Sequence, residues 1–546
     1  MGVERKEKIL CVSNTSRATK RVVSPGGWQL FALLPVVLLG AAPGARTQTL
    51  TRGPYLQSLL VDSVKVLWIT DLESRGKVHF SDESGLEREI EEAAPRTRHM
   101  VLLQELSPRT VYSYEVLDGD EILASGEALR FRTPPLPGTG SFRAVVIGDS
   151  GDLSVNGENF QHGVTARVES FEPDVFIHTG DYVYTGTIDE VFFGEYRNLL
   201  VRTGVYPARG NHDTIFPLEW LEYFSPPTLP LDVPGCRLPA AVCDEDPPAP
   251  PPSPAGWTLA NYSFDWCPAH FAVLDSGAEF YPCSPQLKWL CADLTAAKER
   301  MMPWVAIVLH EPPYTAGLNG PSRLDRFPRY TGTYELLPPI VDQFAVDLVV
   351  AGHDHNYQRS WPLRGGRVVD AWQDPVFESP QGAVYIVTGG GGTRLYAERA
   401  EAIQRPLFKV FQAKHHAVAI DFTELSLSLR ALTPGGEVLD EFTIRKDASP
   451  RSPGFLRGDT NYDGHVDIGD AAAILGALFL GAKTECAAAF AIVADTNGSH
   501  AVDIADAVYL LTYLFLGGPP PDEPFARCDP LEGVGGSDCF AASCKR

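Results

Sequence analysis

The chain has 546 residues, enough for several domains and a large hydrophobic core. Its formal charge of −23 argues against nucleic acid as the main partner, because the sequence shows no basic patch to neutralise phosphates. Ten cysteines without clear zinc-type spacing indicate an oxidising compartment and disulfides, although the spacing does not give their pairing.

Residues 1–45 have the pattern of a secretory signal peptide. Arg17, Lys20 and Arg21 precede an apolar run at 30–39, and small residues follow it. The run is short for a bilayer, and no later run approaches transmembrane length. We therefore expect a mature protein without a membrane span that is secreted or otherwise extracytoplasmic, in the periplasm or at the cell surface. A retained membrane anchor is the alternative.

Residues 46–134 read as an all-β domain. Segments such as 64–69 and 111–116 alternate apolar and polar residues or carry strand-forming residues, with turn signals between them. The spacing predicts a small β-sandwich of the fibronectin type III kind. It holds no polar cluster that suggests chemistry, so we expect a structural or positioning role. A stiff proline-rich linker at 133–140 ends it.

Residues 140–446 alternate strands with helical stretches, which predicts an α/β sandwich. Five apolar strands in this region each end in a polar cluster. Open α/β sheets build sites at the carboxyl ends of their strands, so these clusters are expected to converge on one crevice. The clusters are 148–151, 180–184, 210–213, His310 and 352–355.

The clusters offer carboxylate, phenolate, amide and imidazole groups, enough ligands for two metal ions. The candidate metal ligands are Asp149, Asp181, Tyr184, Asn211, His310, His353 and His355. A single Gly-Asp after a strand is usually only a turn, but five such clusters in order favour a site. Four other histidines are expected to be structural, and these are His178, His270, His415 and His416.

A proline-dense stretch at 225–256 interrupts the alternation and holds Cys236 and Cys243. Because it follows Asn211 and His212 closely, it could form a disulfide-pinned rim over the crevice. A tolerated surface insertion explains it equally well.

A linker at 447–456 leads to an internal repeat within 457–517, and a cysteine-containing tail fills 518–546. Each repeat places oxygen ligands as in a twelve-residue calcium loop and runs into an apolar helix, so we predict a small α-helical calcium-loop module. The second loop, with Ser499 and with His500 in the place of glycine, is expected to bind calcium more weakly. The candidate calcium ligands are Asp459, Asn461, Asp463, His465, Asp467, Asp470, Asp495, Asn497, Ser499, Ala501, Asp503 and Asp506.

The paired loops resemble a dockerin module. The resemblance implies a module that folds around calcium and docks onto a receptor protein. A calcium-stabilised tail without a partner is the alternative.

The five clusters resemble the ordered motifs of the purple acid phosphatases, within the calcineurin-like metallophosphoesterases. The resemblance covers residues 50–446, with Ile307 in place of the usual valine. It implies an α-β-β-α sandwich in which Asp181 bridges an Fe(III) and a divalent Zn, Mn or Fe ion. By the same resemblance, the Fe(III) ligands would be Asp149, Asp181, Tyr184 and His355, and the divalent-ion ligands would be Asp181, Asn211, His310 and His353.

The first motif supports the purple subtype. Most other metallophosphoesterases carry Asp-x-His there, whereas this chain has Gly151 in the histidine position and Tyr184 as a replacement ligand. Phenolate and carboxylate are hard donors that suit a trivalent ion.

The resemblance implies a secreted phosphatase that hydrolyses phosphate monoesters of small molecules through a metal-activated hydroxide. His212 would stabilise the phosphoryl group and protonate the leaving oxygen. The loop 314–320 lacks the additional histidines of plant members, which leaves the substrate contacts open. The alternatives are a phosphodiesterase or nucleotidase, a pyrophosphatase, and a non-catalytic calcium-dependent binding protein.

Overall fold

The computed structural model describes residues 48–138, 140–153, 159–213, 220–221, 223–227, 260–275, 280–321, 332–371, 374–446, 457–458, 460, 466–479, 490, 493–499 and 501–521. The predicted signal peptide, the linker at 447–456 and most of the proline-dense stretch and of the tail lie outside these residues. Within them, no helix is both long and apolar enough to cross a membrane. The chain divides into two compact units, one of residues up to 133 together with 196–204, the other of the remainder.

The first unit is built from antiparallel strands. Strands β1, β2 and β5 pair in that order, while β4, β3, β6 and β7 form a second set in which β8 also pairs with β6. The alternation predicted for 111–116 appears in β6, where Tyr112, Tyr114 and Val116 are buried. The fibronectin type III assignment of this unit stays a prediction. The strands are β1 (Leu50–Gln57), β2 (Val64–Ser74), β3 (Gly76–Asp82), β4 (Glu87–Glu91), β5 (Arg96–Leu103), β6 (Val111–Asp118), β7 (Glu121–Ala124) and β8 (Arg130–Arg132), with a helical turn at Arg197–Leu200.

The second unit contains two large sheets. In the first, the strand order is β19-β24-β23-β22-β9-β10-β11. These strands are β9 (Phe142–Ile147), β10 (Val175–His178), β11 (Gly204–Pro207), β19 (Val376–Glu378), β22 (Ala417–Phe422), β23 (Ser426–Leu432) and β24 (Val438–Arg445). In the second sheet, the order is β12-β13-β14-β15-β20-β16-β21. Its strands are β12 (Tyr262–Trp266), β13 (Ala269–Val273), β14 (Trp304–Val308), β15 (Leu348–Ala351), β16 (Tyr357–Ser360), β20 (Val384–Thr388) and β21 (Phe408–Gln412).

Shorter elements lie between these strands in the chain. Helix α1 (Phe160–Ser170) lies against β22, and helix α2 (Pro285–Glu299) lies against β13. The remaining elements are α3 (Gly332–Gln343), a π-helical turn at Asp189–Gly194, a 3-10 turn at Arg405–Leu407 and a ribbon of β17 (Leu363–Arg364) and β18 (Arg367–Val368).

The two sheets pack face to face through aromatic side chains. Tyr206 of the first sheet stacks on Phe264 of the second with ring centroids 3.8 Å apart, and Phe142 meets Phe271 edge-on at 6.2 Å. On its other face the second sheet packs against α2 and α3 in a core that contains Leu290. With both faces covered, the strands read as continuous apolar runs. The layering is that of an α-β-β-α sandwich.

The repeat region folds around two helices, α4 (Ile468–Phe479) and α5 (Ile504–Leu516), which share a small apolar core. The two copies use the same contacts. The hydroxyl of Thr460 donates to the carbonyl of Asp470 at 2.8 Å, and that of Thr496 donates to the carbonyl of Asp506 at 2.8 Å.

Some predicted calcium ligands fall within the described residues. In the second loop, the amide of Ser499 donates to Asp495 Oδ1 at 2.8 Å and to Asn497 Oδ1 at 2.9 Å. In the first loop, Asp459, Asn461, Asp463 and His465 lie outside the described residues. Calcium binding therefore stays a prediction for both loops.

Candidate metal centre

The strand register brings the predicted ligands together. In the parallel pair β9–β10, Ile147 lies opposite His178, so Asp149 and Asp181 follow at the same sheet edge. In the pair β14–β15, Val308 lies opposite Val350, and His310 and His353 follow in the same way.

Three of these side chains extend from left-handed backbone. The φ angles are 59° at Asp149, 57° at Asp181 and 68° at His353. A non-glycine residue in such a conformation costs about 1–3 kcal/mol, so the surrounding structure must hold it there. Strain of this kind is concentrated where a fold fixes the direction of functional side chains.

Tyr184 lies at the centre of one half of the site. Its hydroxyl is 2.7 Å from Asp181 Oδ2, 2.9 Å from Asp149 Oδ1 and 3.0 Å from His355 Nε2. Tyr184, Asp149, Asp181 and His355 are the four residues that the motif resemblance assigns to Fe(III).

The other half of the site surrounds His310. Its Nε2 is 3.0 Å from Asn211 Oδ1 and 3.3 Å from Asp181 Oδ2, and its ring centroid is 5.1 Å from that of His353. Asp181 therefore faces both halves, as a bridging ligand must. Asp149, Asp181 and His310 offer ligand atoms that all lie within 4.8 Å of one another. The structure thus brings all seven predicted side chains into one cluster.

Two of the histidines are oriented by main-chain carbonyls. Nδ1 of His310 lies 2.9 Å from the carbonyl of Thr179, and Nδ1 of His355 lies 2.7 Å from that of Arg394. A carbonyl can only accept, so each Nδ1 carries a proton, and Nε2 is the ring nitrogen that faces the cluster. This is the usual arrangement of metal-ligating histidine.

The titratable groups of the cluster shift one another's pKa values. Burial lowers the pKa of His310, but Asp181 and Asp149 outweigh it and raise the pKa to about 10. Burial raises the pKa of Asp181, but His310 and the Tyr184 hydroxyl hold it below its ordinary value. Burial and the charge of His310 lower the pKa of His353 to about 4. A bound cation would take over the role of the proton on His310.

His212 lies beside this cluster with an exposed side chain. Its ring centroid is 4.5 Å from that of Tyr184, and its backbone amide donates to Asp181 Oδ1 at 2.8 Å. The side chain is therefore available to a substrate while its backbone is fixed by the central carboxylate.

Gly151 has no room for the histidine that most other metallophosphoesterases are expected to carry there. A Cβ at position 151 would lie 1.7 Å from the carbonyl oxygen of Tyr182, so no side chain fits there. The carbonyl of Gly151 in turn accepts from the amides of Tyr184, at 2.6 Å, and Thr185, at 3.0 Å. The backbone of residues 182–184 thus lies so close to Gly151 that it excludes a side chain there, and the same proximity allows the hydrogen bond to the amide of Tyr184.

Gly151→Ala is expected to destabilise the second unit by about 1–3 kcal/mol, the usual range for overpacking, and to reduce metal content by displacing Tyr184. Gly435→Ala is the control, because a Cβ there has only one neighbour, 3.9 Å away. Thermal unfolding and metal analysis of both variants test this. An alanine at 151 with unchanged stability and metal content would contradict the account.

Two residues that the sequence did not single out also shape the site. The carboxylate of Asp213 accepts from the amides of Asp181 at 2.8 Å, Tyr182 at 3.1 Å and Gly210 at 2.8 Å, and so joins the second and third motifs. Desolvation and the charge of Asp181 raise its pKa to about 7. Its position at the end of the third motif was the only sequence signal.

Asp354 has a similar role for the loop after His310. Its carboxylate accepts from the hydroxyl of Thr315 and from the backbone amide of Asn319 at 3.1 Å. The Asn319 side chain also donates to the carbonyl of His353 at 3.2 Å. The histidine-free loop is thereby fixed next to a predicted ligand. The sequence does not predict this contact between Asp354 and the 314–320 loop; it shows only that Asp354 is a polar residue within the fifth motif.

The four histidines predicted to be structural lie in hydrogen-bonded or stacked environments. His178 contacts the Ser150 hydroxyl at 2.8 Å, and His416 contacts the Thr388 hydroxyl at 3.0 Å. His270 sits between Asp265 and Asp293 at 2.7 and 2.8 Å, and His415 stacks on Phe160 with centroids 4.5 Å apart.

The comparison with known families agrees with this geometry. Residues 142–357 match the family model for calcineurin-like phosphoesterases, which spans all the predicted metal ligands. Residues 142–357, which hold the metal-centre cluster, are therefore similar to the calcineurin-like phosphoesterases.

Individual relatives are distant. "Probable inactive purple acid phosphatase 1" of Arabidopsis thaliana is 26% identical over 64% of this chain, which spans 58% of that relative's length. "Nucleotide pyrophosphatase/phosphodiesterase" of Hordeum vulgare is 27% identical, and the alignment covers 58% of this chain and 87% of the barley protein. The structure of purple acid phosphatase PPD1 from yellow lupin has a TM-score of 0.59 at 18% identity, covering 72% of this chain and 74% of the lupin chain, and shows a shared fold.

Proposed function

We propose that this protein is a secreted dinuclear-metal phosphatase of the purple acid phosphatase type that hydrolyses phosphate monoesters. The observation that carries the proposal is the Tyr184 hydroxyl, which lies within 3.0 Å of Asp149, Asp181 and His355. A phenol between two buried carboxylates is poorly placed as a structural group. As a phenolate donor to a trivalent ion it is well placed.

The donor set fits two cations of different hardness. Tyr184, Asp149 and Asp181 offer hard oxygen donors for Fe(III), whereas Asn211 and the imidazoles suit Zn, Mn or Fe(II). When bound, such a pair supplies Lewis-acid activation of the phosphoryl group and of a water nucleophile. In this assignment His355 completes the Fe(III) set, and His310 and His353 complete the divalent set.

Residues of the protein itself would orient the substrate and protonate its leaving group. His212 is exposed next to Tyr184, and its backbone is fixed by Asp181. From there its imidazole can donate a hydrogen bond to a phosphoryl oxygen and a proton to the departing alkoxide. The loop at 314–320, fixed by Asp354, forms part of the surroundings of His353.

A phosphodiesterase, nucleotidase or pyrophosphatase activity is the second candidate, because the same ligands serve monoesters and diesters alike. The name of the barley relative favours it. Rates on an aryl phosphate monoester and on the matching bis-aryl diester, measured on the same metal-quantified sample, decide between the two. A higher kcat/KM on the diester would overturn the monoesterase assignment.

Tyr184→Phe is the direct test of the metal centre. We expect the wild-type protein to contain two transition metals per chain and to show a visible tyrosinate-to-Fe(III) charge-transfer band, which the variant loses. Tyr182→Phe is the matched control, because that hydroxyl points to the carbonyl of Ala208 at 3.2 Å. A Tyr184→Phe protein with an unchanged band would refute the assignment, and fewer than one metal per wild-type chain would indicate a non-catalytic binding protein.

The remaining parts of the chain complete the proposal. Secretion rests on the leader pattern at 1–45, and a positioning role for the fibronectin-like unit rests on its lack of a polar cluster. The loops of the repeat region are proposed to bind calcium and to present the module to a receptor protein. This part rests on the ligand spacing and on the paired contacts of Thr460 and Thr496.

A further inference from the structure

A fully buried ion pair stands next to the third motif. Arg209 and Asp275 are each 0% exposed, and the guanidinium binds the carboxylate through two nitrogens. Nε lies 3.0 Å from Oδ1, and Nη2 contacts Oδ2. Arg209 comes two residues before Asn211, and Asp275 comes two residues after β13. The pair thus links the Asn211 loop to the second sheet.

Asp275 is itself held on several sides. Its amide donates to the side-chain oxygen of Gln286 at 2.7 Å, and the Gln286 side chain donates to its carbonyl at 3.1 Å. The amide of Ala260 donates to Asp275 Oδ2 at 3.2 Å. Gln286 lies in the first turn of α2, so the backbone of Asp275, which carries the carboxylate, is fixed to a helix.

Stability alone does not explain this pair. Desolvation of two charges roughly cancels their attraction, and well-packed apolar residues of similar volume are often equally stabilising. What the pair does supply is a fixed position for the backbone that enters the third motif.

The third motif tolerates little displacement. A Cβ at Gly210 would lie 2.2 Å from Asp181 Oδ1, so the backbone passes directly against the bridging carboxylate. The next two residues depend on this approach, because Asn211 Oδ1 lies 3.0 Å from His310 and the His212 amide 2.8 Å from Asp181.

We propose that Asp275, acting through Arg209, is a positioning residue that holds Asn211 and the amide of His212 in place against His310 and Asp181. The pair thereby sets the affinity of the divalent half of the metal centre. This inference rests on the proposed function, because it requires a divalent ion at Asn211.

The test uses the double variant Arg209→Met/Asp275→Leu, which removes both charges together and leaves neither unpaired. Full-length protein that retains its iron is stripped of its divalent ion and titrated with Zn²⁺ by calorimetry. We expect Zn²⁺ affinity to fall about 10–100-fold, the usual cost of losing an outer-shell partner, while the thermal midpoint stays near that of the wild type. A role confined to stability would lower the midpoint and leave the affinity unchanged.

The chain supplies a matched control in Arg359 and Asp440. This pair is also buried and bidentate, with Nη2 to Oδ1 at 2.9 Å, but it leads from β16 to β24 and not to the Asn211 loop. Arg359→Met/Asp440→Leu is expected to keep Zn²⁺ affinity within about twofold of the wild type. Gln286→Met is a milder variant that keeps the ion pair, and it should weaken Zn²⁺ binding in the same direction if the double variant fails to fold.

Two results would overturn the inference. One is a folded Arg209→Met/Asp275→Leu protein with wild-type Zn²⁺ affinity, and the other is an equal loss in the control pair. A wild-type protein that binds no second metal would instead overturn the proposed function, and the inference with it.

Discussion

Asp181→Asn is expected to reduce the proposed phosphatase activity by about a thousandfold or more, because losing a direct metal ligand costs more than the 10–100-fold effect of losing a residue that only holds a ligand in place. The variant keeps the shape of the side chain but removes the charge that faces both halves of the site. Tyr184, His310 and the amide of His212 all contact this carboxylate, at 2.7, 3.3 and 2.8 Å. Loss of the bridge should therefore lower the content of both metals.

The measurement is kcat together with the number of metals per chain on the same preparation. Asp421→Asn serves as the control, because Asp421 pairs with Arg143 on a partly exposed surface of the same unit. An Asp181→Asn protein with two metals and activity within tenfold of the wild type would show that the carboxylate is not a bridge.

His212→Gln is expected to lower kcat by about 10²–10⁴-fold, the usual contribution of a positioned general acid, with the metal content unchanged. In the proposed mechanism the exposed ring beside Tyr184 provides the proton, and the backbone amide of residue 212 would still bind Asp181 in the variant. The loss should be larger for an alkyl phosphate than for a nitrophenyl phosphate, because a good leaving group needs less protonation.

The control for this variant is His162→Gln, since His162 is an exposed histidine that contacts Glu195 at 3.1 Å. If His212→Gln slowed both substrates equally, its role would be electrostatic and not that of an acid. If it slowed neither, the proposed assignment of His212 would be wrong.

Sequence reasoning reached the α/β metallophosphoesterase fold because its signals are local. An apolar run followed by Gly-Asp or Gly-Asn-His marks the carboxyl end of a buried strand, and parallel strands carry these ends to one edge. The register of β9 with β10 and of β14 with β15 then places Asp149 near Asp181 and His310 near His353. Their roles as metal ligands stay predictions, as do the calcium loops.

The contacts that hold the candidate ligands in place could not be predicted from the sequence, for a physical reason. Arg209 and Asp275 are 66 positions apart, and nothing in either segment identifies the other as its partner. The sequence shows Asp213 as a polar residue at the end of the third motif. Its three hydrogen bonds from backbone amides arise only because two loops lie close together in the folded protein. Sequence patterns report the period and ends of elements, whereas such pairings depend on the completed packing.

The contact between Gly151 and the carbonyl of Tyr182 has an evolutionary consequence. A histidine at 151 collides with that carbonyl, whereas the Tyr184 hydroxyl reaches Asp149 at 2.9 Å. A change from one type of first motif to the other therefore requires a shift of the 182–184 backbone as well as new side chains. If Tyr184 binds Fe(III) as proposed, the colour of the protein and the path of this backbone would change together in evolution.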